Sequence, residues 1–580
     1  MFFYFTLSNI SGEIMYLLNP KKPDFSKLDE KSRKIMEQTI EFFETKGKKK
    51  LKADDLNRVW YSDFVEFQGK IGAFATFMTP KGYGDVDSRW DSHRISVFSE
   101  ILGFYGLAYW YTWQVSMLGL GPIWMSKNEK IKQRASELLK KGAIFAFGLS
   151  EKEHGADLIN TDMMLEPQGD GKYLANGDKY YIGNGNKAAI ISTFGKMSDS
   201  GKFVFFALES SHTNYRLIKN VVPSQNFVSE FEVTNYPITE EDIISKDREA
   251  WDASLATVAF CKYNLGWASI GICTHAFYEA LNHSGNRKLY GDYVTEFPHI
   301  KQLFLDAYMR LVAMHLFTSR AFDYMRSASD SDRRYLLYNP MVKMKVTIQG
   351  EEVINLLWDA IAAKGFEADT YFETAARDIR GLPKLEGTAH VNMVLINNFI
   401  EQFLFEPTQY PEIPERTDLA DDSYLFHQGA TTKGLKKIKF HDYKKAYNFF
   451  DTPNIKVFLE QVEAFKHFWK DSPISTSQAR DLDYMLAVGE MFTLVPYGQL
   501  ILERAQQWKV EKEVIDRIFD FMVRDFSKYA VQVYTKPSTT SEQMKNLLSI
   551  IKQPITKTED FEYALRRYVY SQKGAYEINP

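Results

Sequence analysis

Glu386 stands in the run Leu385-Glu386-Gly387-Thr388, shortly after Arg377-Asp378-Ile379. A carboxylate takes a proton from carbon only when it is desolvated and faces an activated acid, so in isolation this run reads as an exposed glutamate before a turn. A second stretch, Phe147-Gly148-Leu149-Ser150-Glu151-Lys152-Glu153-His154-Gly155-Ala156-Asp157, sets hydroxyl, charge and glycine close together; alone it is a β-domain turn. Within Asn176-Gly177-Asp178-Lys179-Tyr180-Tyr181-Ile182-Gly183-Asn184-Gly185, the Asn-Gly pair is a hairpin turn, because both residues tolerate left-handed dihedrals. Arg287, in Arg287-Lys288-Leu289-Tyr290-Gly291, is by itself a solvated arginine at a helix end. Cys261 and Cys273 are the only cysteines, which excludes a disulfide framework and a thiolate-rich metal centre, so no metal is expected. Lying in an apolar stretch, both read as small buried hydrophobes, and a reducing, cytoplasmic setting fits them.

The elements that must position these residues follow from apolar periodicity. With 580 residues the chain has room for several cores. Helical spacing is expected over residues 26–45, 53–69, 92–119 and 129–141, giving a helical domain over 1–141. Short apolar runs at 144–149, 173–175, 179–182, 188–193 and 203–208 then predict strands, and their compact spacing suggests a small antiparallel or barrel-like middle domain over 142–250. Helical periodicity returns at 256–286, 294–326, 342–363 and 390–404, an economical bundle over 251–404. A Pro-rich connector at 407–414 leads to an additional helical domain over 405–580. The whole is mainly α with a β middle domain.

Residues 101–125 contain no charge over a length that could cross a bilayer, but Gly103, Gly106, Gly119, Gly121 and Pro122 interrupt them; a buried central helix is expected and no transmembrane span. The N-terminal residues 1–18 carry Glu13 and no basic leader, a poor signal peptide. A net charge of -4 gives no global pull toward nucleic acid. Lys433, Lys436, Lys437, Lys439, Lys444 and Lys445 crowd one interval and could meet phosphates, yet Asp418, Asp421, Asp422 and Asp442 flank them, and a solvated lysine face is the expectation.

Taken together, the motifs resemble those of the acyl-CoA dehydrogenases and their acyl-CoA oxidase relatives, over roughly residues 33–404. The resemblance implies a helical domain, a β domain and a helical bundle that hold FAD and an acyl-CoA thioester, and a place in fatty acid and lipid metabolism. Glu386 matches the family's base, which removes the α-proton while hydride leaves the β-carbon for flavin N5. Phe147, Leu149 and Ser150 match the segment facing the flavin, and Tyr181 the aromatic residue covering one face of its ring. Gly183 falls where dehydrogenases carry a threonine near N5, and Thr388 at the edge of the site. Arg287 matches the arginine placed on the FAD pyrophosphate, often across a subunit boundary, which implies a homodimer or homotetramer; its rigid fork suits phosphate oxygens. Ala156, Asp252 and Gly387 fall on the substrate side.

The departures are specific. Alanine replaces serine at 156, glycine replaces threonine at 183, Leu255 stands where an arginine is usual, and Asp359-Ala360-Ile361-Ala362-Ala363-Lys364-Gly365 replaces a glycine pair. Ser254 cannot act as the carboxylate base that some relatives carry near this position. His154-Gly155 and the Tyr180-Tyr181 pair are closer to the oxidases. Electron transferring flavoprotein and dioxygen both remain open as acceptors, and a DNA-binding flavoprotein of the same fold is the alternative outside these two.

Overall fold

The structure, a computed structural model, describes residues 16–580; the expectation for 1–18 falls almost wholly outside the described residues. The 92–119 expectation resolves into two helices, Ser92–Tyr105 and Leu107–Met125, broken at Gly106. The second continues through Pro122 and is buried on nearly every face. A helix apolar all round needs protein on all sides, and this one has the sheet on one side and helices on the others. Gly119 makes the close approach possible, since a Cβ there would lie 2.5 Å from the Ala146 carbonyl oxygen.

Eight strands form the middle sheet: β1 (Phe145–Gly148), β2 (Met164–Gly169), β3 (Lys172–Gly183), β4 (Ile190–Met197), β5 (Phe203–Leu208), β6 (Tyr215–Asn220), β7 (Val228–Thr239) and β8 (Ile243–Lys246). Their order is β6-β7-β3-β2-β4-β5-β8, with β1 paired to β4. The barrel-like expectation is therefore wrong. Edge strands β6 and β8 do not pair, so no barrel closes, and the sheet is mixed: β1 and β2 both run parallel to β4. Alternation explains why it still encloses a core. Phe145, Phe147, Ile190 and Phe194 turn toward the helices, whereas Ala146, Ile191, Val204, Phe206, Phe231 and Val233 gather into a small separate core drawn from both halves of the sheet.

After the sheet come the helices Asp247–Cys261, Asn264–Asn286, Pro298–Arg326 and Thr347–Ile361, the last entered through a π-helical turn at Val342–Val346. The expected 390–404 helix is two, Ala389–Asn397 and Ile400–Phe405. Beyond them Lys512–Tyr534 packs against both Pro453–Asp471 and Leu482–Trp508, and Leu482–Trp508 and Lys512–Tyr534 also pack on Pro298–Arg326. Buried ion pairs fasten this layer: Arg310 grips Asp525 with both terminal nitrogens at 2.8 and 2.9 Å, and Arg504 reaches Asp323 at 2.6 Å. Leu482–Trp508 is long and apolar enough to cross a membrane, but 83% of its apolar window is buried inside the protein. In the lysine interval, Lys444 pairs with Glu463 at 2.9 Å and Lys439 with Glu406.

Candidate active site

The loop after β1 is stitched to β3. Ser150 donates its hydroxyl to the Tyr180 carbonyl at 2.8 Å, and the Tyr180 amide returns a bond to the Ser150 carbonyl at 3.0 Å. Beneath the loop, buried Lys179 meets Glu151 at 2.7 Å, and Glu151 also accepts the Asp162 amide at 2.7 Å. Burial opposes the Glu151 charge, yet the Lys179 ammonium and these donors hold its carboxyl below the ordinary value. The same burial pushes the Lys179 amine down to about 8, because the fully enclosed amine loses more hydration than its partner restores. Glu151, His154 and Asp162 bring metal-ligating atoms within 4.8 Å of one another, but the Glu151 oxygens are already engaged by these donors.

Phe147 is nearly buried at the end of β1, Leu149 and Ser150 are half-buried, and Ala156 is exposed. Tyr181 takes a left-handed φ of 63° and stands 61% exposed, with Tyr180 edge-on to it at 4.7 Å. Gly183 faces inward. A Cβ there would lie 2.7 Å from both Tyr111 and Val115 of the Leu107–Met125 helix, so the sheet and the helix meet at a position that only glycine fits without movement. Next to it, Asn184 is buried and locks the same junction, donating to the carbonyls of Thr112 at 3.0 Å and Phe145 at 2.9 Å.

That helix also reaches Glu386. Gln114 Nε2 donates to Glu386 Oε1 at 2.5 Å, while Oε2 is sealed from solvent and has no hydrogen-bond partner among the described residues. Glu386 (φ 52°) and Gly387 (φ 81°) make a left-handed turn, and Thr388 caps the Ala389–Asn397 helix by accepting the Val391 amide at 3.4 Å. The residue as a whole is half-buried, yet its carboxylate is enclosed. Burial pushes the Glu386 carboxyl up to about 7, against the Gln114 hydrogen bond and the charges of Lys262 and Lys343, which pull it down. Tyr111 and Cys261 feel the carboxylate's field, and burial together with that field pushes the Cys261 thiol well up.

The other expected residues lie elsewhere. Asp252 is held by Arg248 at 3.1 Å, and Ser254 donates to the Trp251 carbonyl at 2.8 Å; neither joins Glu386. Arg287 is exposed beside a cleft of ≈ 370 Å³ that Lys48, His283 and Asn286 also line, and its side chain has no hydrogen-bond or ion-pair partner among the described residues. Arg377 ties its helix to the first one through Asp55 at 2.7 and 2.8 Å. Sequence reading missed Tyr111, Gln114, Cys261, Lys262 and Lys343 as neighbours of Glu386. Their only sequence signal is polar residues inside apolar runs, as in Val342-Lys343-Met344-Lys345-Val346.

A mixed sheet between helical layers, with an enclosed carboxylate on a left-handed turn against the helix that backs the sheet, defines a protein of the acyl-CoA dehydrogenase fold. Residues 251–400 match the family model for the acyl-CoA dehydrogenase C-terminal domain. The short-chain specific acyl-CoA dehydrogenase of Megasphaera elsdenii is 23% identical over 283 residues, 46% of this chain and 73% of that protein. Among solved structures, an acyl-CoA dehydrogenase from Bacillus anthracis complexed with FAD superposes with a TM-score of 0.73 at 14% identity, over 97% of this chain and 98% of that one. Butyryl-CoA dehydrogenase of M. elsdenii gives 0.56 at 18% identity, over 64% of this chain and 97% of that one. The first superposition thus takes in nearly the whole chain, whereas the second leaves about a third of it uncovered. The chain thus has the fold of the acyl-CoA dehydrogenases, and its residues 251–400 are similar to their C-terminal domain.

Proposed function

We propose that the protein catalyses FAD-dependent α,β-dehydrogenation of an acyl-CoA thioester, with Glu386 as the base that takes the α-proton. One observation carries this reading: Glu386 Oε2 is enclosed, has no partner among the described residues, and belongs to a carboxyl whose acidity burial has moved close to neutrality. A base near the working pH combines a useful ionised fraction with a strong pull on the proton.

The residues present fit an FAD. Tyr181 offers an exposed ring on β3, Arg287 has an unengaged fork for phosphate oxygens, and the Tyr111 hydroxyl, beside Gly183, makes no hydrogen bond among the described residues. Ser150, Leu149 and Phe147 would line the ring's edge, and Thr388 would stand at the rim of the site. Bound FAD supplies the hydride acceptor. The chain's own residues do the rest: Gln114 fixes Oε1 so that Oε2 is left for the substrate, the apolar helices exclude water, and the proton ends on Glu386 Oε2. By resemblance, Ala156 and Gly387 would lie near the thioester, and Asp252 would face the substrate. Electron transferring flavoprotein is the proposed acceptor, and Arg287 serves a neighbouring protomer's cofactor in a homodimer or homotetramer.

The purified protein should show flavin absorbance that bleaches anaerobically with a member of an acyl-CoA panel. Flavin without bleaching by any thioester would contradict the reading. Rapid reoxidation by air with stoichiometric peroxide would assign dioxygen as the acceptor instead.

A further inference from the structure

Two buried lysines flank the Glu386 turn, one on each side. Lys343 Nζ donates to the Pro383 carbonyl at 2.6 Å, in the short 3-10 turn that leads into Glu386. Lys262 Nζ donates to Asn392 Oδ1 at 2.9 Å, and the Asn392 amide in turn donates to the carbonyls of Gly387 at 3.3 Å and Thr388 at 2.9 Å. The 3-10 turn before Glu386 is thus tied directly to one ammonium, and the carbonyl of Gly387 within the left-handed turn is tied through Asn392 to the other. Lys343 is presented by the π-helical turn Val342–Val346, an irregularity that costs helical hydrogen-bond geometry and recurs where a side chain must be aimed.

We propose that Lys262 and Lys343 are positioning residues for Glu386, holding its turn from opposite flanks and setting the buried positive charge that its carboxylate faces. The inference rests on the reading of Glu386 as the base.

The charge balance supports it. Each amine has one neutral acceptor among its hydrogen bonds, leaving donor capacity unused in a buried place. Their contacts are to Asn392 and Pro383, so they act on the carboxylate through the field. Around Glu386 stand Tyr111 and Gln114 from one helix, Cys261 and Lys262 from the next junction, and Lys343 from the π-turn; Lys384 and Glu351 add their fields at Lys343. Burial pushes Lys343 down to about 7 and Lys262 to about 8, while the Glu386 charge holds both up. The two amines and the carboxyl are thus linked through their fields, each ammonium favouring the ionised carboxylate and the carboxylate favouring each ammonium.

The test is the pH dependence of anaerobic flavin bleaching in wild type, Lys343→Met, Lys262→Met, Lys343→Gln and Lys343→Arg. Removing a nearby cation disfavours the ionised carboxylate, so both Met variants should move the acid limb of the profile up by about one pH unit or more. That is about a tenfold loss on the acid side, and recovery toward the wild-type rate at high pH. Lys343→Gln keeps a donor for the Pro383 carbonyl without the charge and should shift the limb as Met does, whereas Lys343→Arg should leave it near wild type. Lys343→Gln also carries the test if the Met variants do not fold. A folded charge-removing variant whose limb coincides with wild type overturns the proposal. The Glu386 carboxyl can also be titrated by the infrared band that Glu386→Gln removes, which separates failure of this inference from failure of the functional reading: if no thioester bleaches the wild type, the band's shift in the lysine variants still decides.

Discussion

Gln114 and Glu386, 272 residues apart in the chain, meet through a 2.5 Å hydrogen bond from the helix that also backs β3 at Gly183. One rigid, buried element therefore sets the distance between the carboxylate and the strand that carries Tyr181. Gln114→Leu, close in volume, removes the donor that favours the ionised form. The acid limb of the bleaching profile should rise by about one pH unit, because a hydrogen bond to a charged group is worth roughly 1.5–3 kcal/mol.

The wild-type profile has its own expected shape. With the Glu386 carboxyl raised to about 7, bleaching should be slow at pH 5.5 and gain until the pH passes about 7, then level off. Stability runs the other way. The fold favours the protonated carboxyl, so that contribution is complete below the ordinary value of 4.5 and is lost as the pH rises to about 7. Glu386→Gln removes this loss, and its Tm should gain on that of the wild type between pH 5 and pH 8, by the equivalent of about 2 kcal/mol. A constant Tm difference across that range would contradict the enclosed carboxylate.

Gly183→Thr restores the residue that dehydrogenases usually carry at this place, but here its side chain would drive into Tyr111 and Val115. It should destabilise the protein by about 1–3 kcal/mol, the usual cost of overpacking. Tyr111→Ala opens the space, so the double variant should recover stability relative to Gly183→Thr; thermal unfolding of the four proteins in the cycle measures the coupling.

Why the sequence announced Glu386 and Tyr181 but not Gln114, Lys262 or Lys343 has a physical reason. The first two sit in contiguous motifs whose spacing is local, whereas the residues around the carboxylate come from three separate elements and meet only after the bundle packs. The strands were legible for the same local reason, through short apolar runs, but the Asn176-Gly177 turn expectation was wrong: both residues lie inside β3, where the ladder to β7 only bulges between Ala175 and Gly177. Strand pairing was not legible: β1 joins β4 across about 40 intervening residues in parallel, and strand grammar says nothing about whether two edges meet. Gly106 broke a helix that periodicity alone ran straight through, because both halves are buried on nearly every face and carry little phase to mark the join.

Lys179 and Glu151 hold the loop that presents Ser150. Lys179→Met leaves a buried carboxylate without its cation and should cost about 3 kcal/mol in unfolding free energy, read by denaturant titration. Flavin retention should fall with it, since Tyr180 and Ser150 lose the support beneath them. A variant as stable as wild type would show that the backbone donors alone satisfy Glu151.

The most direct measurement is the rate of anaerobic flavin bleaching by the best acyl-CoA substrate in Glu386→Gln against wild type, with flavin content matched by absorbance. Glutamine keeps the shape and the Gln114 contact region but cannot accept the α-proton. The rate should fall by about 10²–10⁴-fold while flavin stays bound. Bleaching at the wild-type rate in a flavin-loaded Glu386→Gln protein would contradict the assignment of Glu386 as the base.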